Sequence, residues 1–103
     1  MMNIEIFGKE IQNEMDFHKQ FNKYADYPYY GHNLNALWDV LTGMLERPAH
    51  LIWHDSKLSK EVLGETFNTI TDMFEEVSKH DEDLCQRLPQ YRQPDEKFTY
   101  ELR

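Results

Sequence analysis

The residue types best suited to binding chemistry are concentrated in one segment, residues 29–43, where tyrosines, amides and one carboxylate occur together. Tyr29 and Tyr30 are adjacent, and Asn35 and Asp39 are four residues apart, so on a helix those two share one face. The chain has no Lys or Arg between Asp26 and Glu46. A carboxylate beside tyrosines and an amide, without local cations, suits docking into a basic pocket. The alternative is an ordinary aspartate on a solvated helix face.

The element that must position this segment is a short helix. Asn33 is a suitable N-cap for a helix from Leu34 to Leu41 or beyond, and Gly43 lies near its C-terminal end. Helical spacing predicts one buried face on that helix, formed by Leu34, Leu37, Leu41 and Met44.

The rest of the chain predicts a single α/β domain, residues 1–103. Short apolar runs, or apolar and polar residues in alternation, indicate strands at residues 3–7, 50–54 and 97–103. The last of these is expected at a sheet edge. Helical spacing indicates helices after Asn13, after Asn33, over residues 56–63, and around Phe74. Helical crossovers favour parallel pairing, so we expect a small three-stranded parallel sheet packed by about four helices. Residues 84–96, which contain Pro89 and Pro94, are predicted to be a loop before the last strand.

The charge of the chain restricts its partners. The net charge is −8, from 19 acidic and 11 basic residues, which disfavours nucleic acid as the direct partner and suits a basic protein. Acidity that serves solubility alone is an equally good explanation of the composition. Cys85 is the one cysteine, and neither a signal peptide nor an apolar run of about 20 residues occurs, so we expect a cytoplasmic protein without membrane contact.

Signatures of catalysis and metal binding are weak. His50 and His54 share a face of one predicted strand, but a third ligand is not evident, so we expect neither a metal nor a cofactor. Glycine-rich phosphate loops, nucleophile elbows and cysteine–histidine signatures are not found, and we assign no catalytic residue. A hydrolase or nuclease that uses His32 and Asp39 stays open as a competing hypothesis.

Residues 29–43 resemble the binding loop and second helix of the barstar family, the intracellular inhibitors of barnase-type ribonucleases. The resemblance extends more weakly along the chain, where Phe74-Glu75-Glu76 matches the helix that carries the family's outlying acidic contact. It fails after about Asp83, where the chain inserts its longer loop. Eleven of the fifteen positions in the segment fit the family pattern, namely Tyr29, Tyr30, Gly31, Asn33, Ala36, Leu37, Trp38, Asp39, Leu41, Thr42 and Gly43.

The resemblance implies a protein that is a monomer when free, binds a basic ribonuclease one to one and blocks its active site. Asp39 would imitate the phosphate of the substrate, Tyr29 would pack against the enzyme's base-binding loop or a catalytic side chain, and Glu76 would pair with a basic group at the rim. A solvated helix face is the alternative for Glu76. The expected partner-binding residues are Tyr29, Tyr30, Gly31, His32, Asn33, Asn35, Trp38, Asp39, Thr42, Gly43 and Glu76.

Two positions depart from the family pattern. Asn35 stands where barstar has an aspartate, and His32 stands where it has a glutamate, so two negative charges are missing beside Asp39. We therefore expect a related or convergent ribonuclease as the target rather than barnase itself. His32 could also make binding depend on pH. Two further hypotheses remain open: an immunity protein against a delivered toxin that is not a ribonuclease, and a regulatory module without a nuclease target.

Overall fold

A computed structural model describes residues 1–93 and 95–103. Strands and helices follow in the order predicted from the sequence, strand, two helices, strand, two helices, strand. A 3-10 turn at Gly8–Glu10 and a π turn at Val40–Met44 supplement them. The elements are β1 (Met2–Phe7), α1 (Glu14–Ala25), α2 (Leu34–Asp39), β2 (Ala49–His54), α3 (Ser56–Leu63), α4 (Glu65–Arg87) and β3 (Phe98–Leu102).

The three strands form one parallel sheet in the order β1-β2-β3. Ile4 pairs with Leu51, and Leu51 pairs with Tyr100, so the register aligns two buried side chains with a half-buried one across the sheet. The parallel α/β fold and the edge position of β3 are therefore confirmed. Alternation along β2 buries every second residue, so the helices cover one face and the other face is partly open.

Aromatic rings hold α1 and α4 against the covered face of the sheet. The Phe17 ring stacks on Trp53 with 5.0 Å between centroids, and Trp53 meets the edge of Phe67 at 4.9 Å. The ring centroid of Phe74 in α4 lies 5.6 Å from that of Phe98 in β3. These large buried rings form much of the core, and they fix the position of α4 relative to the sheet.

Local chemistry sets the ends of the helices as the sequence predicts. The Asn13 side chain accepts a hydrogen bond from the Asp16 amide at 3.0 Å, and the Asn33 side chain accepts one from the Ala36 amide at 2.8 Å. Gly64 ends α3 with φ of 57°, a conformation that glycine adopts without steric cost.

One buried face differs from the prediction. Met44, expected in the core with Leu37 and Leu41, is 46% exposed, and Leu45 is buried in its place. The physical reason is the π turn, in which the Leu45 amide donates to the Val40 carbonyl at 2.8 Å. A π turn holds more residues than an α turn, so it rotates each later side chain away from its α-helical direction.

The predicted loop at residues 84–96 also needs correction. Helix α4 continues to Arg87, so residues 84–87 are helical, and the connection to β3 begins at Leu88. Helical residue Cys85 is buried, and its thiol donates to the Gln93 carbonyl at 3.1 Å. Pro94, which contributed to the loop prediction, lies outside the described residues.

Candidate functional site

Helix α2 forms a ridge between two hollows, and the predicted site residues line both. The tyrosine hollow, of about 280 Å³, is lined by Tyr27, Tyr29, Tyr30, Ala36, Asp39, Val40 and Met44. The helix groove, of about 510 Å³, is lined by Trp38, Thr42, Glu76, Val77, Lys79 and His80. Trp38 and Asp39 belong to different hollows because consecutive helical residues point about 100° apart.

Asp39 is exposed at the rim of the tyrosine hollow. Within residues 1–93 and 95–103 its carboxylate has neither an ion-pair partner nor a hydrogen-bond donor. Tyr29 stands beside it with 93% of its surface exposed. An aromatic ring and a carboxylate that the fold itself does not engage are both available to an external partner.

Tyr30, in contrast, is part of the core. Its ring is only 7% exposed and forms the floor of the tyrosine hollow, while its hydroxyl lies 2.5 Å from Nδ1 of His18. The predicted role of Tyr30 as a partner contact is therefore restricted to the face that it shows to the hollow.

The three residues between the tyrosines and α2 are held by the loop's own hydrogen bonds. His32 has φ of 54°, and its Nδ1 donates to the Tyr30 carbonyl at 2.9 Å. Besides capping α2, the Asn33 amide donates to the Gly31 carbonyl at 3.3 Å. A Cβ at Gly31 would approach that amide to 3.0 Å, so a side chain there would crowd the cap. The loop is thus shaped before any partner arrives.

Beneath the loop lies a chain of polar groups that sequence reasoning missed, in which His18 and Tyr30 are buried and Glu14 is partly exposed. Nε2 of His18 lies 2.8 Å from a carboxylate oxygen of Glu14, and Nδ1 faces the Tyr30 hydroxyl. The carboxylate requires a donor, so Nε2 carries the proton and Nδ1 accepts from Tyr30. The i, i+4 spacing of Glu14 and His18 was the one signal in the sequence, because such pairs are neighbours on a helix.

The surroundings of His18 favour the neutral ring. Burial lowers the pKa of His18 below its usual value, the carboxylate of Glu14 offsets part of this effect, and the nearby ring of His32 adds to the lowering. Burial also raises the pKa of Tyr30 well above its usual value, with a further contribution from Glu14. Both groups are therefore uncharged at neutral pH, and together they support the loop from below.

We expect the protein to lose stability as the pH falls below about 6.5, because the unfolded chain then binds a proton at His18 that the folded chain resists. The loss starts near the unfolded pKa and continues down to the lowered folded pKa. Urea unfolding at several pH values measures it. His18→Gln should flatten this part of the profile, whereas His80→Gln, an exposed control, should leave it unchanged. A wild-type profile that is flat between pH 6.5 and 5 would contradict the assignment.

The helix groove brings Trp38, Thr42 and Glu76 together. Trp38 is half-buried on one wall, and the Thr42 hydroxyl donates to its carbonyl at 2.7 Å. Glu76 lies on the α4 wall, exposed, without an ion pair among the described residues. Its neighbour Glu75 instead accepts a hydrogen bond from Tyr100 at 2.6 Å. Glu76 is therefore the carboxylate of this wall that is open to a partner.

Asn35 and Gly43 occupy the two ends of the ridge. Asn35 is exposed in the first turn of α2, and its side chain makes no hydrogen bond within the described part of the chain. Gly43 is exposed in the π turn, and an added Cβ would meet nothing within 4 Å. The fold does not use the Asn35 side chain or the space beside Gly43, so both positions are open to contacts outside it.

The hydrolase hypothesis concerns His32 with Asp39, and the possible metal site concerns His50 and His54. His32 is not among the residues that line the tyrosine hollow with Asp39, and its ring instead packs 5.0 Å from that of Tyr30. Across residues 1–93 and 95–103, no group of three or more His, Cys, Asp or Glu side chains could hold a metal. His54 lies 3.1 Å from a Glu5 carboxylate oxygen on the open sheet face. In the same described residues, no helix is long and apolar enough to cross a membrane.

Comparisons with known proteins show which proteins the chain is similar to. The family model described as "Barstar (barnase inhibitor)" matches residues 1–102. The chain is also similar to a protein of Bacillus subtilis (strain 168) named "Putative ribonuclease inhibitor YrdF". The two are 32% identical over 80 residues, which cover 77% of this chain and 88% of that relative.

Proposed function

The chain belongs to the barstar family, and from this premise we propose that it inhibits a ribonuclease by binding one to one across the active site. The observation that carries the proposal is the exposed carboxylate of Asp39, which stands beside Tyr29 and has no partner within the described part of the fold. Leaving a carboxylate unpaired contributes nothing to this fold, but it suits a complex in which the partner supplies the cations.

The chemistry of the target explains the residue types. A ribonuclease binds the phosphate of its substrate with Arg, Lys and His side chains. The Asp39 carboxylate imitates that phosphate and accepts charge-assisted hydrogen bonds from the same donors. Tyr29 covers the neighbouring base-binding surface with its ring, because an aromatic side chain with few rotatable bonds loses little entropy on binding.

A second contact comes from the other side of the ridge. Glu76, on the wall of the helix groove, pairs with a basic group at the rim of the enzyme's active site, and Trp38 and Thr42, which line the same groove, pack against the enzyme beside it. In this proposal the chain has no catalytic residue of its own. The lone buried thiol of Cys85 fits a protein that works in a reducing compartment.

The proposal is tested by titrating the purified chain against basic ribonucleases, including any that is encoded near its own gene, and following cleavage of a fluorescent RNA. We expect cleavage to stop at one equivalent of the chain. The chain alone, and its His32→Ala variant, should leave RNA intact. RNA cleavage by the wild type that His32→Ala abolishes would establish the hydrolase instead. Inhibition of a deoxyribonuclease but of no ribonuclease would establish the alternative of immunity against another toxin.

Association with the ribonuclease should depend steeply on salt. The net charge of −8 attracts a basic enzyme over long distances, and salt screens that attraction. Stopped-flow measurements should show the association rate constant falling at least about tenfold between roughly 0.01 and 0.5 M salt, with a smaller change in dissociation. Lys19→Gln, which removes an exposed cation of α1, should speed association slightly at low salt only. An association rate that does not respond to salt would contradict steering.

A further inference from the structure

The first basic residue after the cation-free segment points into the protein. Arg47 has a side chain only 7% exposed, and its Nε donates to the carboxylate of Asp81 at 2.7 Å. Asp81 is 1% exposed in α4 and also accepts a hydrogen bond from the Phe98 amide of β3 at 2.8 Å. The positive charge of Arg47 is thus neutralised inside the fold, and the surface around Asp39 stays free of it.

The rest of the Arg47 guanidinium binds the backbone that follows Asp39. One terminal nitrogen donates to the Leu41 carbonyl at 2.6 Å, and the other donates to the Leu45 carbonyl at 3.1 Å. Carbonyls at the end of a helix lack partners within it, so they need donors from elsewhere. A single planar side chain therefore joins the π turn to α4, and through Asp81 to β3.

Helix α2 needs such an external support. It has six residues, followed directly by the π turn, and a helix this short is not stable by itself. Buried ion pairs often add little net stability, because the loss of hydration opposes the attraction between the charges. They do favour one geometry over others, so the pair is better suited to fixing a position than to strengthening the core.

We propose that Arg47 and Asp81 are positioning residues that fix the α2 ridge against α4 and thereby set the spacing between Asp39 and Glu76. This inference rests on the proposed function for its consequence in binding, but the positioning itself is a property of the free protein. With the pair intact, both carboxylates meet the ribonuclease without first reordering the ridge, which lowers the entropy lost on binding.

Hydrogen exchange of the free protein tests the positioning. Arg47→Lys keeps the charge beside Asp81 but replaces three donor nitrogens by one, so it cannot reproduce the fork that reaches Asp81 and both carbonyls from separate nitrogens. We expect the Leu45 amide, which donates across the π turn, to exchange about tenfold faster, while amides of β2 such as Leu51 keep their rates. The matched control is Arg103→Lys, the same change at an exposed ion pair with Glu101. It should alter neither the exchange rate of the Leu45 amide nor the rates of the β2 amides. Equal acceleration in β2 and the π turn, or no change in either, overturns the proposal.

Binding measurements then test the consequence. Arg47→Lys should raise the dissociation constant for the ribonuclease about tenfold. In a chain that already carries Glu76→Ala, the same substitution should raise it less, because the spacing between the carboxylates matters only when both of them bind. Full additivity of the two effects overturns the proposed link to spacing. If the wild type binds no ribonuclease, the proposed function fails, and the exchange data still decide the positioning. If Arg47→Lys does not fold, Asp81→Asn replaces it, because the amide oxygen still accepts from Phe98.

Discussion

Replacing Asp39 with alanine is expected to weaken ribonuclease binding by about 2–5 kcal/mol, at least roughly 30-fold, because the cations of the active site are then left buried without a partner. Glu76→Ala should weaken binding by no more than about 1 kcal/mol, because a carboxylate at the rim stays close to water. Isothermal titration or competition with RNA substrate gives both dissociation constants.

The structure supplies the controls for this comparison. Asp39 is exposed and has no partner among the described residues, so Asp39→Ala should change the free energy of unfolding by less than about 0.5 kcal/mol. Thr42→Ala removes a polar group from the other side of the same ridge and should cost far less affinity than Asp39→Ala. Equal losses for Asp39→Ala and Glu76→Ala would contradict the central role of Asp39.

The fold was predictable from the sequence because its signals are local. Asn13 and Asn33 cap helices through amides three residues ahead, and the chain order of strands and helices leaves parallel pairing as the simple solution. The bounds of α3 were predicted to the residue because Gly64 ends it. Interactions over three or four residues are readable in a sequence, and this fold uses many of them.

The buried ion pair beneath the site was not predictable, because its two partners are far apart in the chain. Arg47 and Asp81 are separated by 34 positions, and nothing local shows that either side chain is buried. The exposure of Met44 was missed for a different reason: helical spacing assumes α turns, whereas the Leu45 amide bonds the Val40 carbonyl across a π turn. Local sequence patterns therefore indicate exposed candidate contacts more readily than the buried side chains beneath them.

Tyr30 is a second residue whose role could not be read from the sequence alone. The sequence presents Tyr29 and Tyr30 as an equivalent pair, and the family pattern contains both. Their surroundings differ because the hydroxyl of Tyr30 lies against His18, whereas Tyr29 projects into solvent. Only the tertiary structure separates a tyrosine that supports the loop from one that is available to a partner.

The two departures from the family pattern are also unequal. Asn35 is exposed in the first turn of α2, where a negative charge would interact favourably with the helix dipole, so the fold itself offers no obstacle to an aspartate. His32 lies at φ of 54° and donates to the Tyr30 carbonyl, a bond that glutamate cannot form. We infer that Asn35 reflects the target, whereas His32 also serves the loop.

Asn35→Asp is therefore expected to strengthen binding to barnase, the enzyme that the family model names. A restored carboxylate beside Asp39 gains a hydrogen bond to a charged group, worth about 1.5–3 kcal/mol, or roughly 10–150-fold in the dissociation constant. Surface plasmon resonance against barnase measures the change, with Asn35→Ser as the uncharged control. His32→Glu should gain less, because it also loses the bond that shapes the loop. If Asn35→Asp left barnase binding unchanged while Asp39→Ala abolished it, the identity of residue 35 would not determine which ribonuclease the chain selects.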